Sequence, residues 1–381
     1  MRSMSAKVAL ARCTGYDDAE ALRVCVDDLL ANLGGIGEFV KPGQTVLIKP
    51  NLLLAAAPAA AVTTHPAVAR EVIRLLKRQG AHVVVGDSPA AAGNIDEIWR
   101  QTGFGALCEA EAVPLINLEK AGSVPMLVNG RSFSIARPVL DADLVLNMPK
   151  IKTHVLTVLT GAVKNMYGAV PGLQKTRLHK LYPRPREFGE LIAAIHSAVR
   201  PGLTIADAIV AMDGNGPSAG TPVGVGWLAA SSDAAALDLA VCRLLGIDHR
   251  TVPYFRPLQK LQLCASGPEA VELLGDDPTG FPSPPFRTPS TLRYRLIPQW
   301  LVRCIRPHIW IHPRIGPSCA RCGKCVQACP VGALTFAMNR SPVFDETRCI
   351  ECCCCHEICP QHAIEMLDSP LLRLAKRIRA R

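Results

Sequence analysis

A repeated cysteine motif near the end of the chain limits most strongly what this sequence can fold into. The first copy is four cysteines followed by a proline, spaced C-x2-C-x2-C-x3-C-P: Cys319, Cys322, Cys325, Cys329 and Pro330. The second copy has the same spacing: Cys349, Cys352, Cys355, Cys359 and Pro360. This is the ligand pattern of bacterial-type ferredoxins, in which each fourth cysteine binds the cluster of the other copy. The motif therefore predicts two 4Fe–4S clusters.

The spacing also assigns ligands to each cluster. Cluster one is expected on Cys319, Cys322, Cys325 and Cys359. Cluster two is expected on Cys349, Cys352, Cys355 and Cys329. A zinc site would use one pair of C-x2-C units without the Cys-Pro pair, so iron–sulfur is the favoured interpretation. Cys353 and Cys354 are spare by spacing, although either could substitute for a ligand.

The distribution of cysteine and the N-terminal sequence indicate a reducing compartment. Ten of the 16 cysteines lie between Cys319 and Cys359, whereas a secreted disulfide scaffold would spread them through a small domain. No apolar run is long enough to span a membrane, and the first residues contain neither a signal-peptide h-region nor a twin-arginine signal. We therefore expect a cytoplasmic protein.

Strand-like and helix-like patterns alternate through the first 250 residues. Thr45–Lys49 is predicted as a strand, Pro66–Gln79 as a helix and His82–Gly86 as the next strand. Such alternation is typical of βαβ units, so residues 1–280 are predicted to form an α/β domain with a mainly parallel sheet flanked by helices. A Pro-rich basic linker is expected over 281–317, a small α+β dicluster ferredoxin-like domain over 318–368, and a basic amphipathic tail over 369–381.

A basic interval in the larger domain points to an anionic ligand. No acidic residue lies between Asp143 and Glu187. Within this interval Lys150, Lys152 and His154 alternate directly after a predicted strand, which places them on one face at the strand's carboxyl end. A solvated basic loop is the alternative, but the clustering at a strand end favours a site for phosphate or carboxylate. Metal binding by the histidines is less favoured.

Polar turns follow other predicted strands as well. They are Lys49-Pro50-Asn51, Thr63-Thr64-His65-Pro66, Gly86-Asp87-Ser88-Pro89 and the segment from Met212 to Pro217. Each alone could be an ordinary turn or helix cap. Because the carboxyl ends of parallel strands meet at one edge of a sheet, four such turns indicate a shared site.

These motifs also carry a family resemblance. The order KPNLL, TTHP, GDSP, PKIKTH, GAVKNMYG and MDGNGP resembles the domain-of-unknown-function family 362, whose members often carry a C-terminal double-cluster ferredoxin. The resemblance covers roughly residues 5–260 and 318–366. It implies a shared family site at these positions: Lys49, Asn51, His65, Asp87, Lys150, Lys152, His154, Lys164, Asn165, Asp213 and Gly216.

The C-terminal quarter is strongly basic, which bears on partners. Residues 287–381 hold 15 Lys and Arg against 6 Asp and Glu, and so account for +9 of the net charge of +10. The tail LLRLAKRIRAR could contact an anionic membrane surface or an acidic partner such as a soluble ferredoxin. Packing of its apolar stripe on the protein is the alternative. No nucleic-acid-binding motif accompanies the charge.

The leading functional hypothesis is an iron–sulfur oxidoreductase. Electrons from the clusters would reach an anionic substrate held by Lys150, Lys152, His154 and Lys164, with His154 or Asp213 supplying a proton. One alternative is an electron carrier without chemistry of its own. Another is a non-redox anion-binding enzyme with structural or oxygen-sensing clusters. No dinucleotide fingerprint or P-loop is present, and the sequence is compatible with a flavin.

Overall fold

The structure is a computed structural model that describes residues 6–89, 94–282, 284–289, 310–336 and 341–370. Strands and helices alternate in the larger domain. The strands of its main sheet are β1 (Ala6–Arg12), β2 (Thr45–Pro50), β3 (His82–Asp87), β4 (Leu115–Asn117), β7 (Leu144–Met148), β8 (Lys150–His154), β9 (Val158–Thr160), β10 (Leu203–Asp213), β11 (Thr221–Ser231) and β12 (Val271–Gly275). A separate hairpin consists of β5 (Ser123–Val128) and β6 (Arg131–Ala136).

Helices cover both faces of this sheet. They are α1 (Ala19–Ala31), α2 (Pro66–Arg78), α3 (Ile95–Gln101), α4 (Phe104–Ala110), α5 (Arg137–Asp141), α6 (Ala162–Asn165), α7 (Gly172–Leu181), α8 (Pro185–Ala198), α9 (Ala234–Leu244) and α10 (Phe255–Lys260). Side-chain oxygens cap two of the longer helices: Asp18 accepts from two backbone N–H groups of α1, and Asp233 does the same for α9. Such caps stabilise a helix by about 1 kcal/mol each.

The strands are hydrogen-bonded in the order β12-β1-β11-β10-β7-β2-β3-β4, with β8 beside β10 and β9 beside β8. The pairs of β11 with β1 and β10, and of β9 with β8, are antiparallel, whereas the others are parallel. The predicted mainly parallel α/β class is therefore confirmed. Because β2, β3 and β7 run in the same direction, their carboxyl ends meet at one edge, as predicted.

Two apolar layers hold the helices to the sheet. Residues of β2 alternate between them: Leu47 packs in the layer beneath α8 and α9, and Ile48 in the layer beneath α1 and α2. This period of two is what a strand buried on both faces requires. Each fully buried Leu or Ile side chain stabilises the fold by roughly 1.5–3 kcal/mol.

The described residues of the C-terminal module form short strands and helices. Its elements are β13 (Ile311–Ile315), α11 (Lys324–Ala328), β14 (Leu334–Thr335), β15 (Val343–Phe344), α12 (Cys354–Glu357) and β16 (Ile364–Asp368). Strand β13 pairs antiparallel with β16, so residues 311–315 belong with the module although sequence analysis assigned them to the linker. Proline is unusual within a strand, so Pro313 prevented this strand from being predicted from the sequence pattern.

Some of the predicted segments lie outside the described residues. These include residues 290–309 of the linker and 371–381 of the basic tail. Among the helices that the structure describes, none combines the length and apolar character needed to cross a bilayer.

Candidate functional site between the two domains

A buried ion pair forms where strands β2 and β3 end. Lys49 and Asp87 are both almost inaccessible, and the Lys49 Nζ lies 2.7 Å from the Asp87 Oδ1. The other Asp87 oxygen accepts a hydrogen bond from the Leu52 backbone N–H at 2.9 Å. A buried charge needs such a partner to offset desolvation. The pair fixes the KPNLL and GDSP turns relative to each other.

A chain of amides joins this ion pair to the neighbouring strand. The Asn51 Nδ2 donates to the Asn165 Oδ1 at 3.0 Å, and the Asn165 Nδ2 donates to the Asn147 Oδ1 at 2.8 Å. Lys152 completes the chain through a hydrogen bond from its Nζ to the Asn51 Oδ1 at 3.0 Å. The predicted convergence of motifs at the sheet edge is thus present in the structure.

A second buried network contains Lys150. Its Nζ lies 3.0 Å from the Asp207 Oδ2 and 2.9 Å from the Tyr16 hydroxyl. The ring of Tyr16 stacks on His65 at 3.7 Å, and the His65 backbone N–H donates to Asp207. Asp207 therefore neutralises Lys150, and Tyr16 and Asp207 hold His65 in place. The substrate-binding role of Lys150 and His65 stays a prediction.

A cavity of about 110 Å³ lies between the larger domain and the C-terminal module. The polar residues that line it from the larger domain are Asn51, Ser88, Thr160, Lys164, Asn165, Tyr167, Lys175, Thr176 and His179. From the module, Cys354 and Glu357 line the same cavity. Cys354 lies between two cysteines of the second motif, so the cavity adjoins that cysteine loop directly.

The two cavity lysines have perturbed acidities. Burial lowers the pKa of Lys164 to about 8, against the attraction of Glu357. Burial likewise lowers the pKa of Lys175 to about 7, and Asp87 opposes this shift. Buried lysines with pKa values near neutrality are characteristic of functional sites. Both can therefore bind an anion and exchange a proton near physiological pH.

Four polar atoms in this cavity lack hydrogen-bond partners among the described residues. They are the Ser88 Oγ, Thr160 Oγ1, His179 Nδ1 and Glu357 Oε1. Of these atoms, the Glu357 Oε1 lies at ion-pair distance, 3.1 Å, from the His154 Nε2. Buried polar groups are normally paired. The residues that carry these groups all line one polar space.

Charge is also concentrated beside Glu357. Burial would raise the pKa of Glu357, but the charges of His154, His179 and Lys164 outweigh it and hold the value at about 2. Burial lowers the pKa of both His154 and His179 to about 4. At neutral pH the cavity therefore presents an ionised carboxylate beside neutral imidazoles. His154 does not itself line the cavity.

The MDGNGP turn contacts the module instead of the cavity. The Asn215 carbonyl lies 3.2 Å from the His356 Nε2, and the Ser218 hydroxyl donates to the Glu357 carbonyl at 3.0 Å. Asp213 is paired with Arg287 at 2.8 Å, which lowers the pKa of its carboxyl. Asp213 and Gly216 are not among the residues that line the cavity, and their catalytic and binding roles stay predictions.

The eight predicted cluster ligands surround two further cavities. One is lined by Cys319, Cys322, Cys325 and Cys359. The other is lined by Cys329, Cys349, Cys352 and Cys355, together with the spare Cys353 and Cys354. Three of these sulfurs accept backbone hydrogen bonds: Cys329 from Ala333, Cys349 from Glu351 and Cys359 from Ala363, at 3.1–3.3 Å. Such bonds favour thiolate ligands and tune cluster potential.

The two cysteine loops share an unusual backbone. Arg321 and Glu351, at equivalent positions, have φ of 56° and 57°, and Gly323 and Cys353 have φ of 75° and 63°. In the parts of the chain described, no three His, Cys, Asp or Glu side chains converge closely enough to hold one metal ion. The repeated cysteine spacing, with its closing Cys-Pro pair, is what fits an iron–sulfur cluster.

Sequence analysis found part of this cavity. Asn51, Lys164 and Asn165 line it, and Lys49, Asp87 and Lys152 support its wall. It missed the contributions of Ser88, Thr160, Lys175, His179, Cys354 and Glu357. The acid-free interval was the signal for Lys175 and His179, whereas nothing in the sequence placed Glu357 against the larger domain.

Models of known protein families match both domains of this chain. Residues 46–243 match DUF362, a domain of unknown function. The chain belongs to the DUF362 family. Residues 318–335 match a 4Fe–4S binding domain, so the protein also carries an iron–sulfur motif of the ferredoxin type. The DUF362 match contains every larger-domain residue that lines the cavity.

The thylakoid-associated protein sll1697 of Synechocystis sp. is 36% identical over 271 residues, which is 71% of this chain and 83% of that protein. A solved structure, the lactate racemase apoprotein from Thermoanaerobacterium thermosaccharolyticum, has a TM-score of 0.41 and 14% identity. That similarity covers 64% of this chain and 57% of the racemase chain, so this protein spans little more than half of it. At this level the likeness carries no argument about function.

Proposed function

We propose that this protein is an iron–sulfur oxidoreductase that passes single electrons to a small anionic substrate held between its two domains. The observation that carries the proposal is the shared cavity. Lys164 and Lys175 of the larger domain and Cys354 and Glu357 of the second cysteine loop line the same space. A ligand in this cavity would then lie beside the redox centre, as direct electron transfer requires.

The cysteine arrangement fits two 4Fe–4S clusters. Cys319, Cys322, Cys325 and Cys359 would hold one, and Cys329, Cys349, Cys352 and Cys355 the other. When bound, such clusters supply single low-potential electrons. The number of clusters is part of the proposal.

The chain's own residues would bind the substrate and provide its proton. Lys164 is largely protonated at neutral pH because its pKa is about 8, so it can hold a negative group. The same value, close to ambient pH, suits a general acid. Lys175, which donates to the Pro89 carbonyl at 3.3 Å, is oriented toward the same space from helix α7. Of the predicted catalytic residues His154, Asp213 and Lys164, we propose Lys164 as the proton donor.

The electron donor and the location belong to the same proposal. A soluble one-electron carrier such as a ferredoxin is the proposed donor or acceptor, and the protein is proposed to act in the cytoplasm. The basic tail would allow peripheral contact with an anionic membrane. The name of the Synechocystis relative, a thylakoid-associated protein, is compatible with such contact.

The test begins with the small molecule that remains bound during anaerobic purification, identified by mass spectrometry. Reduced full-length protein should be reoxidised by the oxidised form of that molecule. Reoxidation should be at least about tenfold slower in Lys164→Gln, since the substrate anion loses its counter-charge. Lys180→Gln is the matched control because Lys180 is exposed on helix α7.

Iron content must be equal in all three proteins for this comparison. Equal reoxidation rates in the wild type and Lys164→Gln would favour an electron carrier whose clusters discharge elsewhere. Retention of the anion with no reoxidation at all would favour the non-redox anion-binding alternative.

A further inference from the structure

The larger domain contains a pair of thiols that the proposed function does not use. Cys13 directly follows strand β1, and Cys25 lies on helix α1. We propose that Cys13 and Cys25 form a reversible disulfide by exchange with a small-molecule disulfide, so that the pair is a site of redox modification. Three features support this site: the contact between the thiols, their unequal burial and the exposed connection between them.

The two thiols are in direct contact. The Cys13 thiol is hydrogen-bonded to the Cys25 thiol. The Cys25 Sγ also lies 3.0 Å from the carbonyl oxygen of Arg12, whose peptide group is joined to Cys13. Neither cysteine is in a disulfide in the structure. The sulfur atoms of a disulfide are about 2.05 Å apart, so the bond requires two atoms that already touch to approach each other further.

The connection between the two residues can accommodate this approach. Thr14 and Gly15 are exposed, and a Cβ added at Gly15 would meet nothing within 4 Å. The Cys13 backbone is held to the sheet, because its N–H donates to the Gly226 carbonyl at 2.9 Å. We therefore expect the Cys25 side chain and the exposed connection to move, while strand β1 keeps its place.

Burial and acidity give the two thiols different roles. Cys25 is half-buried, so a small disulfide can reach it, whereas Cys13 is only 3% exposed. The hydrogen bond with Cys13 lowers the pKa of the Cys25 thiol, against its own burial and the carboxylates of Asp276 and Asp28. The same hydrogen bond, together with burial, raises the pKa of Cys13. Because the thiolate is the attacking species, Cys25 is the attacking residue and Cys13 the resolving one.

The exchange proceeds in two steps. The Cys25 thiolate attacks one sulfur of the small disulfide, forms a mixed disulfide and releases one small thiol. Cys13 then loses its proton and attacks the Cys25 sulfur, which forms the bond between the two cysteines and releases the second small thiol. Two electrons pass from the protein dithiol to the small disulfide, and no other oxidant is required. An excess of dithiol reverses both steps.

The bond would act on a segment that reaches the second buried network, since Tyr16 lies three residues after Cys13. The Tyr16 hydroxyl donates to the Asp207 Oδ1 at 2.8 Å, and the Tyr16 ring stacks on His65. The Asp207 carboxylate also acts electrostatically on the Cys13 thiol. Oxidation would therefore fix the loop from which Tyr16 supports this network.

The test is anaerobic treatment of the iron-loaded full-length protein with cystamine, followed by acid quenching, alkylation and peptide mapping by mass spectrometry. Cystamine is a cationic disulfide, which suits the two carboxylates beside Cys25. Trypsin cleaves after Arg23, between the two cysteines, so their disulfide appears as a linked pair of peptides.

The wild type should give this linked pair in most molecules, and dithiothreitol should remove it. Cys13→Ser should instead accumulate cystamine on Cys25, whereas Cys25→Ser should leave Cys13 unmodified, because Cys13 is buried. Cys264 is also half-buried, and Cys25 should react at least about tenfold faster than Cys264 because of its hydrogen bond. Cys264→Ser is the matched control and should form the linked pair as the wild type does.

The proposal is overturned if Cys25 of the wild type takes up cystamine without bonding to Cys13, or if Cys264 reacts first. It is also overturned if no linked pair forms while other thiols of the protein are modified. The mapping of the wild type alone decides the question if Cys13→Ser does not fold. None of these outcomes depends on the cavity or on electron transfer, so the proposed function is tested separately.

Discussion

Replacement of Gly216 by alanine should loosen the C-terminal module from the larger domain. An alanine Cβ at this position would lie 2.1 Å from the Thr153 carbonyl oxygen, whereas ordinary contact begins at 3.4 Å. The turn would have to move by about 1.3 Å, which is the difference between these two distances. The obstacle is backbone, so no flexible side chain can give way.

Such a shift strains four hydrogen bonds. Two hold the turn to β8: Gly216 N–H to the Thr153 Oγ1 and Val155 N–H to the Gly216 carbonyl, both at 3.2 Å. The other two are the module contacts of Asn215 and Ser218. Loss of the two module contacts, at about 1 kcal/mol each, should weaken docking by roughly 2 kcal/mol. A weakening of 2 kcal/mol corresponds to about a 30-fold change in the opening equilibrium.

Hydrogen exchange measured by mass spectrometry on the full-length protein checks this prediction. Amides of helix α12 should exchange about 30-fold faster in Gly216→Ala, with iron content retained. Gly224→Ala is the matched control, since an added Cβ there meets nothing within 4 Å. Identical exchange in the two variants would refute the docking role of the MDGNGP turn.

Three further predictions concern the support, charge and ligands of the site. Asp238→Ala should lower the free energy of unfolding by about 3 kcal/mol or more in a urea titration. The substitution leaves three donors without an acceptor: the backbone N–H groups of Ala162 and Val163 and the Tyr254 hydroxyl. Tyr254→Phe, which removes one of these hydrogen bonds, should lower it by only about 1 kcal/mol. Calorimetry across pH should show that the affinity for the anion falls as pH rises through about 7 to 8. Lys175 and Lys164 lose their protons in this range, while the carboxylate of Glu357 stays ionised. An affinity that does not change up to pH 9 would contradict this. Iron analysis should give about eight iron atoms per chain in the wild type and in Cys353→Gly, because glycine suits the left-handed backbone at this position. Cys352→Ala should contain clearly less iron. Loss of iron in Cys353→Gly would overturn the ligand assignment.

Local patterns in the sequence predicted the sheet and its edge well. The apolar run of β2 identified a strand, and the parallel arrangement brought Lys49 and Asp87 together at its end. These inferences depend only on strand periodicity and strand direction, which short stretches of sequence encode. They do not require any knowledge of how distant segments pack.

Long-range packing is what the sequence did not reveal. Lys150 lies in an interval without acidic residues, yet Asp207 reaches it from β10 and neutralises it. Glu357 reaches the cavity because the module docks on the larger domain, and no spacing rule encodes that docking. The same docking gives Gly216 a structural reason for being glycine. Tertiary contact therefore determined which polar motifs line the cavity and which support the fold.

The measurement that tests the central claim most directly is the electron paramagnetic resonance spectrum of the reduced full-length protein with and without the anion that is retained during anaerobic purification. If a cluster adjoins the cavity, a saturating concentration of that anion should change the signal of one cluster in the wild type and in Lys180→Gln. Lys164→Gln at the same concentration of the anion should not show this change. A spectrum that stays the same while calorimetry reports bound anion would contradict the account, because the cavity and the clusters would then not be neighbours.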